Sequence, residues 1–235
     1  MDAFSGVTEF LRITAAKEHD RKFLYHIKLP SNSFIVFDKA YNLYNQFAKW
    51  TTQKVWFVTR MKDNAVYHVT KVITDNTRKK QAKGVLKDQY ITIGFKVENE
   101  SQRLKLRRIT FQADDGKVFV FITNNFTLPA SQIALIYKCR WMIELLFKQI
   151  KQNFPLRYFW GNSENAIKIQ VYCVLIAQLL MVVIRKKAET KKSFANVITV
   201  IRLHLMSYVA LFEFIKDTYG AWRKINGPPL LDTIK

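Results

Sequence analysis

Two short runs of consecutive large hydrophobes, Phe34-Ile35-Val36-Phe37 and Val55-Trp56-Phe57-Val58-Thr59, constrain the fold more than any other feature of this chain. Unbroken apolar runs of that length belong to strands covered on both faces. Between them, Leu43, Phe47 and Trp50 recur at helical spacing. A strand–helix–strand unit brings its strands together in parallel through a right-handed crossover. The predicted fold class is therefore α/β.

The pattern changes after residue 65. Val66–Ile73, Tyr90–Val97, Leu104–Phe111 and Val118–Ile122 are rich in β-formers, and a further short apolar run lies at Phe10–Thr14. Turn signals separate the four later runs, at Asp75-Asn76, Lys83-Gly84, Glu98-Asn99 and Asp114-Asp115-Gly116. Short strands punctuated this way predict an antiparallel, β-rich segment. Beyond Pro129 the pattern becomes helical. Ala130–Asn153 contains neither Pro nor Gly, and two more helices are predicted at about Ser163–Lys187 and Ser193–Asp217 before Gly227-Pro228-Pro229 ends regular structure.

Charge narrows the function. There are 38 Lys+Arg against 18 Asp+Glu, a formal net charge of +20. Self-repulsion of this size points to a polyanionic partner, with nucleic acid ahead of an anionic membrane. Arg78, Lys79, Lys80, Lys83, Arg103, Lys105, Arg107 and Arg108 crowd the β-rich segment. Arg103, Lys105 and Arg107 alternate with Leu104 and Leu106, which predicts one solvent-facing, polyanion-facing side of a strand. Two cysteines, Cys139 and Cys173, provide no disulfide framework, which favours a reducing cytoplasm. Four scattered histidines do not offer a structural zinc site. The apolar run Ile169–Ile184 falls short of the roughly 20 residues a membrane span requires. It also contains Gln170 and Gln178, so a buried core helix is expected there and no membrane partner.

The chemistry concentrates in the segment 130–153. If it is one helix, Tyr137, Arg140, Glu144 and Lys151 fall on a stripe about 60° wide and about 21 Å long, and Lys148 extends it. An Arg140–Glu144 pair at i, i+4 is ordinary helix-surface chemistry. It leaves unexplained why a phenol and further bases share that side. The functional alternative is a carboxylate metal ligand flanked by phosphate binders. Two-metal nucleotidyl transfer needs carboxylates around ions roughly 3.5–4 Å apart. Asp38 directly follows the Phe34–Phe37 strand, and ligand sites of α/β sheets lie at such strand ends.

These residues carry a resemblance. Tyr137-x-x-Arg140-x-x-x-Glu144-x-x-x-x-x-x-Lys151, within Y-K-C-R-W-M-I-E-L-L-F-K-Q-I-K, resembles the Y-R-E-K signature of DDE transposases of insertion-sequence family four. Phe37-Asp38-Lys39-Ala40-Tyr41 resembles the family's second catalytic Asp at its strand end. Phe57-Val58-Thr59-Arg60-Met61-Lys62 resembles the next strand. The resemblance implies an RNase H-like core, a mixed sheet flanked by helices, with a β-rich insertion before the Glu-bearing helix and a helical C-terminus. The implied organisation is a first part of the core at 1–65, the insertion at 66–118, the second part of the core at 119–187 and a C-terminal helical region at 188–235. The implied activity is Mg²⁺- or Mn²⁺-dependent cleavage at insertion-sequence ends and strand transfer into target DNA. Asp38 and Glu144 would ligate metal. Tyr137, Arg140, Lys148 and Lys151 would hold phosphates, Arg60 and Lys62 would contact end DNA, and Phe119 would stack on a flipped base. The implied partner is double-stranded DNA, bound by a homodimer at the bacterial nucleoid. The family also requires a first Asp on an earlier strand. Neither Asp2 nor Asp20 matches it, so the chain is expected to be a C-terminal or partial copy. A catalytically inactive DNA-binding fragment is the alternative reading, and a nuclease without strand transfer a third.

Overall fold

The computed structural model describes residues 1, 8, 13, 20–75, 83–98, 100–154, 156, 158–204 and 210–226. The expected strand at Phe10–Thr14 lies outside the described residues except for Ile13. So do Asp2, Asn76, Arg78, Lys79, Lys80, Asn99 and the Gly227-Pro228-Pro229 stop. The chain forms two compact units, Met1–Met142 and Ile143–Lys235.

The first unit is built on a six-stranded sheet. Its strands are β1 (Phe34–Phe37), β2 (Trp56–Arg60), β3 (His68–Asp75), β4 (Val85–Val97), β5 (Glu100–Gln112) and β6 (Val118–Thr123), in the order β1-β2-β6-β5-β4-β3. β1 and β2 are parallel, with Phe34 opposite Trp56 and Phe37 opposite Thr59, as the strand–helix–strand pattern requires. Helix α1 (Tyr44–Thr52) makes the crossover. All other pairings are antiparallel, so the β-rich insertion extends the same sheet. The β5–β6 turn closes through Gly116 at φ +82, a left-handed conformation that suits glycine.

Alternation along the strands decides which face each helix covers. Phe47 and Trp50 of α1 pack with Phe37, Phe57, Ile91, Ile93, Leu104, Leu106 and Ile122 on one face. Val58, Ile109 and Phe121, one residue out of phase, meet Ile133, Ala134 and Tyr137 of α2 (Ala130–Lys138) on the other. Phe47 stacks on Phe57 at 4.2 Å between ring centroids. The architecture is a mixed sheet flanked by helices, the RNase H-like α/β arrangement expected from the sequence.

Arg107 departs from expectation. Arg103 and Lys105 are exposed, but Arg107 is buried. It lies on the face that α2 and the preceding loop cover, and this cover reaches Arg107 but stops short of Lys105. Its guanidinium meets buried Asp88 through Nε–Oδ1 at 2.9 Å and Nη2–Oδ2 at 2.6 Å, and also donates to the Leu128 carbonyl. It is an internal ion pair, not a polyanion-facing residue.

The predicted helix 130–153 is also two helices, α2 and α3 (Trp141–Asn153). The Cys139 and Arg140 amides bond back to the Ile136 and Tyr137 carbonyls, three residues away, which tightens the turn. A 100° step per residue therefore does not carry across residues 139–140, and Tyr137 to Lys151 do not form one continuous helical stripe. No Pro or Gly marks the break. Tyr137, in the last turn of α2, rests on the sheet with its ring 4.8 Å from that of Phe121.

The second unit is helical: most of α3, then α4 (Glu164–Lys187), α5 (Phe194–His204), α6 (Leu211–Lys216) and α7 (Thr218–Asn226). Ser163 caps α4 by accepting from the Ala166 amide. Ala188, Val197, Ile201 and Ile215 form its core. Lys192 Nζ ties the start of α5 to the Ile215 carbonyl and the Thr218 hydroxyl at 2.9 and 2.7 Å. The helix predicted over 193–217 is interrupted, with residues 205–209 outside the described residues. The apolar run 169–184 is helical as predicted, but it is not the buried core helix expected. Among the described residues Ile169, Tyr172, Ile176, Leu180 and Val183 leave one side of α4 open, and α4 is long and apolar enough to cross a membrane by composition.

Candidate functional site

Parallel β1 and β2 end side by side, and their carboxyl ends carry the first cluster. Asp38 follows β1 and caps a 3₁₀ turn (Lys39–Tyr41), its Oδ1 accepting from the Ala40 amide at 3.1 Å. Arg60 is the last residue of β2, and its Nη2 donates to Asp38 Oδ2 at 2.9 Å. Register brings them together, because Phe37 pairs with Thr59, so that Asp38, just past β1, lies level with Arg60, the residue of β2 that still pairs with Phe121.

Partial burial pushes the Asp38 carboxyl up, but the Ala40 amide, the Arg60 guanidinium and the Arg140 charge together hold it below the ordinary carboxylate value. Tyr137 joins from α2. Burial pushes its phenol up, while Arg60 and Arg140 pull the other way. Its buried hydroxyl has no partner at hydrogen-bond geometry among the described residues, although Arg60 is close enough to act on it. Arg140 lies over the Tyr137 ring, 5.7 Å from its centroid. Lys39, next to Asp38, pairs with Asp63 at 2.8 Å, and Lys62 is half-buried just past β2. Asp38, Arg60, Tyr137 and Arg140 thus form one cluster: a carboxylate ringed by two guanidiniums and a phenol.

The remaining signature residues lie on α3. Glu144, Lys148 and Lys151 follow one another at i, i+4, i+7, on one side of the helix. With Phe147 and Gln152 they line a shallow depression of about 430 Å³ in the second unit. Glu144 is half-buried, and both lysines are exposed. Phe119 is half-buried, stacked on Phe121 at 6.1 Å with 12° between rings, so one of its faces is already covered.

Three supports escaped the sequence reading. Asn42 is buried. It donates to the Arg60 carbonyl at 2.9 Å and accepts from Thr59 Oγ1 at 3.1 Å, locking the Asp38 turn to the end of β2. Asn124 continues the β6 ladder with its side chain, accepting from the Phe57 amide and donating to the Val55 carbonyl at 2.9 and 2.8 Å. Asn125 Oδ1 accepts from the Thr127 and Leu128 amides and sets the turn into Pro129 and α2. The available signal was an Asn-Asn pair just before a proline-led helix.

Residues 1–180 match the family described as the transposase DDE domain. The chain belongs to that family. It is 34% identical over 184 residues to the putative transposase y4zB of Sinorhizobium fredii, covering 77% of this chain and 50% of that protein. It is 29% identical over 147 residues to a probable transposase for insertion sequence element IS5377 of Geobacillus stearothermophilus, covering 63% of this chain and 38% of that one. A putative transposase for insertion sequence element IS4SA of Synechocystis is 31% identical over 173 residues, covering 68% of this chain and 44% of the relative. The chain thus spans half or less of the length of these relatives. Within the DDE domain, the match covers Asp38, Arg60, Tyr137, Arg140, Glu144 and Lys151.

Proposed function

We propose that the chain acts on insertion-sequence DNA, with Asp38 and Glu144 as the carboxylates of a metal-dependent nucleotidyl transfer. The Arg60–Asp38 pair at adjoining parallel strand ends carries this reading. It places a partly exposed carboxylate among cations at the position where α/β sheets bind ligands. Arg60, Arg140 and Tyr137 are suited to bind the phosphates flanking a scissile bond, and Lys148 and Lys151 to extend that grip. Bidentate guanidinium–phosphate contacts orient as well as attract. Lys62 adds a further phosphate contact, and Phe119 offers the uncovered face of its ring to a base.

The donor chemistry fits a hard divalent ion, Mg²⁺ or Mn²⁺, since carboxylate oxygens are what such ions prefer. Such ions would activate the attacking oxygen and stabilise the leaving one. The described residues contain no group of three or more His, Cys, Asp or Glu side chains able to hold a metal. In a second reading, for which the net charge of +20 suffices, the chain binds DNA without cleaving it. We further infer a homodimer in the DNA complex, work at the nucleoid in the cytoplasm, and the organisation 1–65, 66–118, 119–187 and 188–235.

The test is a pair of assays on purified residues 1–235. Duplex binding should weaken steeply between about 50 and 200 mM salt, as counterion release demands. Mg²⁺-dependent cleavage of insertion-sequence ends separates the two readings: the first expects cleavage that Asp38→Ala and Glu144→Ala each abolish, the second expects none. Salt-indifferent binding would sink the DNA reading. Robust cleavage by the chain alone, lost in Glu144→Ala, would overturn the second reading and support the first.

A further inference from the structure

The loop between α3 and α4 carries three aromatics in a row, Tyr158-Phe159-Trp160. Tyr158 is 81% and Trp160 92% exposed, and Phe159 is half-exposed. Large rings normally bury most of their surface, because the apolar area is worth more inside. The exposure is held in place by the loop's own anchors. Gln170, one and a half turns into α4, clamps the backbone on both sides. Its Oε1 accepts from the Trp160 amide at 3.1 Å, and its Nε2 donates to the Tyr158 carbonyl at 2.8 Å. Gly161 sits where a Cβ would come within 2.9 Å of the Ala166 side chain, so the loop lies tight against the helix. Two rings are thus presented to solvent from a fixed backbone, which lowers the ordering cost of a contact made there.

We propose that Tyr158 and Trp160 are a stacking platform for unpaired nucleobases of DNA. The inference rests on the DNA-binding reading above and adds the form of DNA bound. Residues 143–235 contain 14 Lys+Arg and 6 Asp+Glu, a net charge of 14 − 6 = +8, so the unit carrying the rings attracts a phosphate backbone. Exposed aromatics on a cationic surface are the physical recipe for single-strand binding, since every base has a π-face. Bases inside a duplex stack on one another and offer no such face, so the ligand is a single strand, a frayed end or an extruded base.

The experiment measures fluorescence anisotropy of a labelled oligo(dT) and a labelled blunt duplex with G·C-rich ends with the wild-type chain, Tyr158→Ala, Trp160→Ala and Trp160→Phe. Each Ala variant should weaken oligo(dT) binding by about 5- to 100-fold, while Trp160→Phe retains most of it. Blunt-duplex affinity should stay within about twofold, and the salt slope of oligo(dT) binding should not change, because no phosphate contact is removed. Circular dichroism should be unaltered, since both rings are exposed. Oligo(dT) affinity insensitive to both Ala variants would overturn the proposal while leaving duplex binding intact. A change of sedimentation coefficient in Trp160→Ala would overturn it too, assigning the rings to contact between copies. A wild-type chain that binds neither probe would sink the DNA reading itself.

Discussion

Asp88→Ala should be among the most destabilising single substitutions in the first unit. The Asp88 and Arg107 side chains are 4% and 7% exposed, and two hydrogen bonds join them across adjacent strands β4 and β5. Removing the carboxylate leaves a guanidinium buried without its counter-charge. Breaking a buried pair in this way costs about 3–5 kcal/mol. Arg107 also donates to the Leu128 carbonyl, so its displacement would loosen the turn leading into α2 and Tyr137. Urea unfolding can follow the fluorescence of Trp50, buried on the α1 face of the same sheet. With a urea slope of about 2 kcal/mol/M, the midpoint should fall by roughly 1.5–2.5 M. The double variant Asp88→Leu/Arg107→Met should recover about half of this, because an apolar pair of similar volume avoids the desolvation cost. Its residual defect should be about 1–3 kcal/mol, from the Leu128 carbonyl left without a donor. A single-variant loss under about 1 kcal/mol, or a double variant worse than the single, would refute the claim that the pair is buried and coupled.

Other substitutions test the neighbouring geometry. Asn124→Ala removes the partner of the Phe57 amide and the Val55 carbonyl, and denaturation should report a loss of about 2–4 kcal/mol. Gly84→Ala should destabilise by more than about 1 kcal/mol, since Gly84 has φ +85 and a Cβ would meet the Gln112 carbonyl at 2.7 Å. Gly94→Ala, with nothing within 4 Å of the added Cβ, should be close to neutral or favourable in the same experiment. The Asp38 carboxyl titrates below its ordinary value. Its contribution to stability is therefore fully present above the unfolded value of about 4 and is lost as pH falls through the lowered folded value. Asp38→Asn should flatten that part of the acid limb, and an unchanged pH profile of the midpoint would count against the Arg60–Asp38 pair.

Local pattern was enough to place the β1–α1–β2 unit, its parallel pairing and Asp38 at a strand end. Those depend on period and on the reach of a short crossover, both written in consecutive residues. The hairpin strands were legible for a similar reason, since Gly116 and its neighbouring aspartates announce a turn wherever they occur. Roles that depend on what covers a residue were not legible. Arg103, Lys105 and Arg107 have the same strand phase, yet only Arg107 lies beneath the loop before α2, and burial turned it from a surface base into half of an ion pair. The helix through the signature was continuous by every local rule. In the structure α2 ends one residue past Tyr137, whose ring rests on Phe121, and that contact depends on the sheet beneath the helix rather than on the helix's own residues. Asn42 and Asn124 were invisible because an asparagine becomes a strand-end clasp only when another strand's free carbonyl and a donor, the Thr59 hydroxyl or the Phe57 amide, come within about 3 Å. The apolar composition of α4 fixed its helicity, whereas its open side was decided by what packs against it. Sequence determined the elements and the residue types available for chemistry; the tertiary structure decided which charges meet, because burial and non-local hydrogen bonds are properties of neighbours that chain order does not spell out.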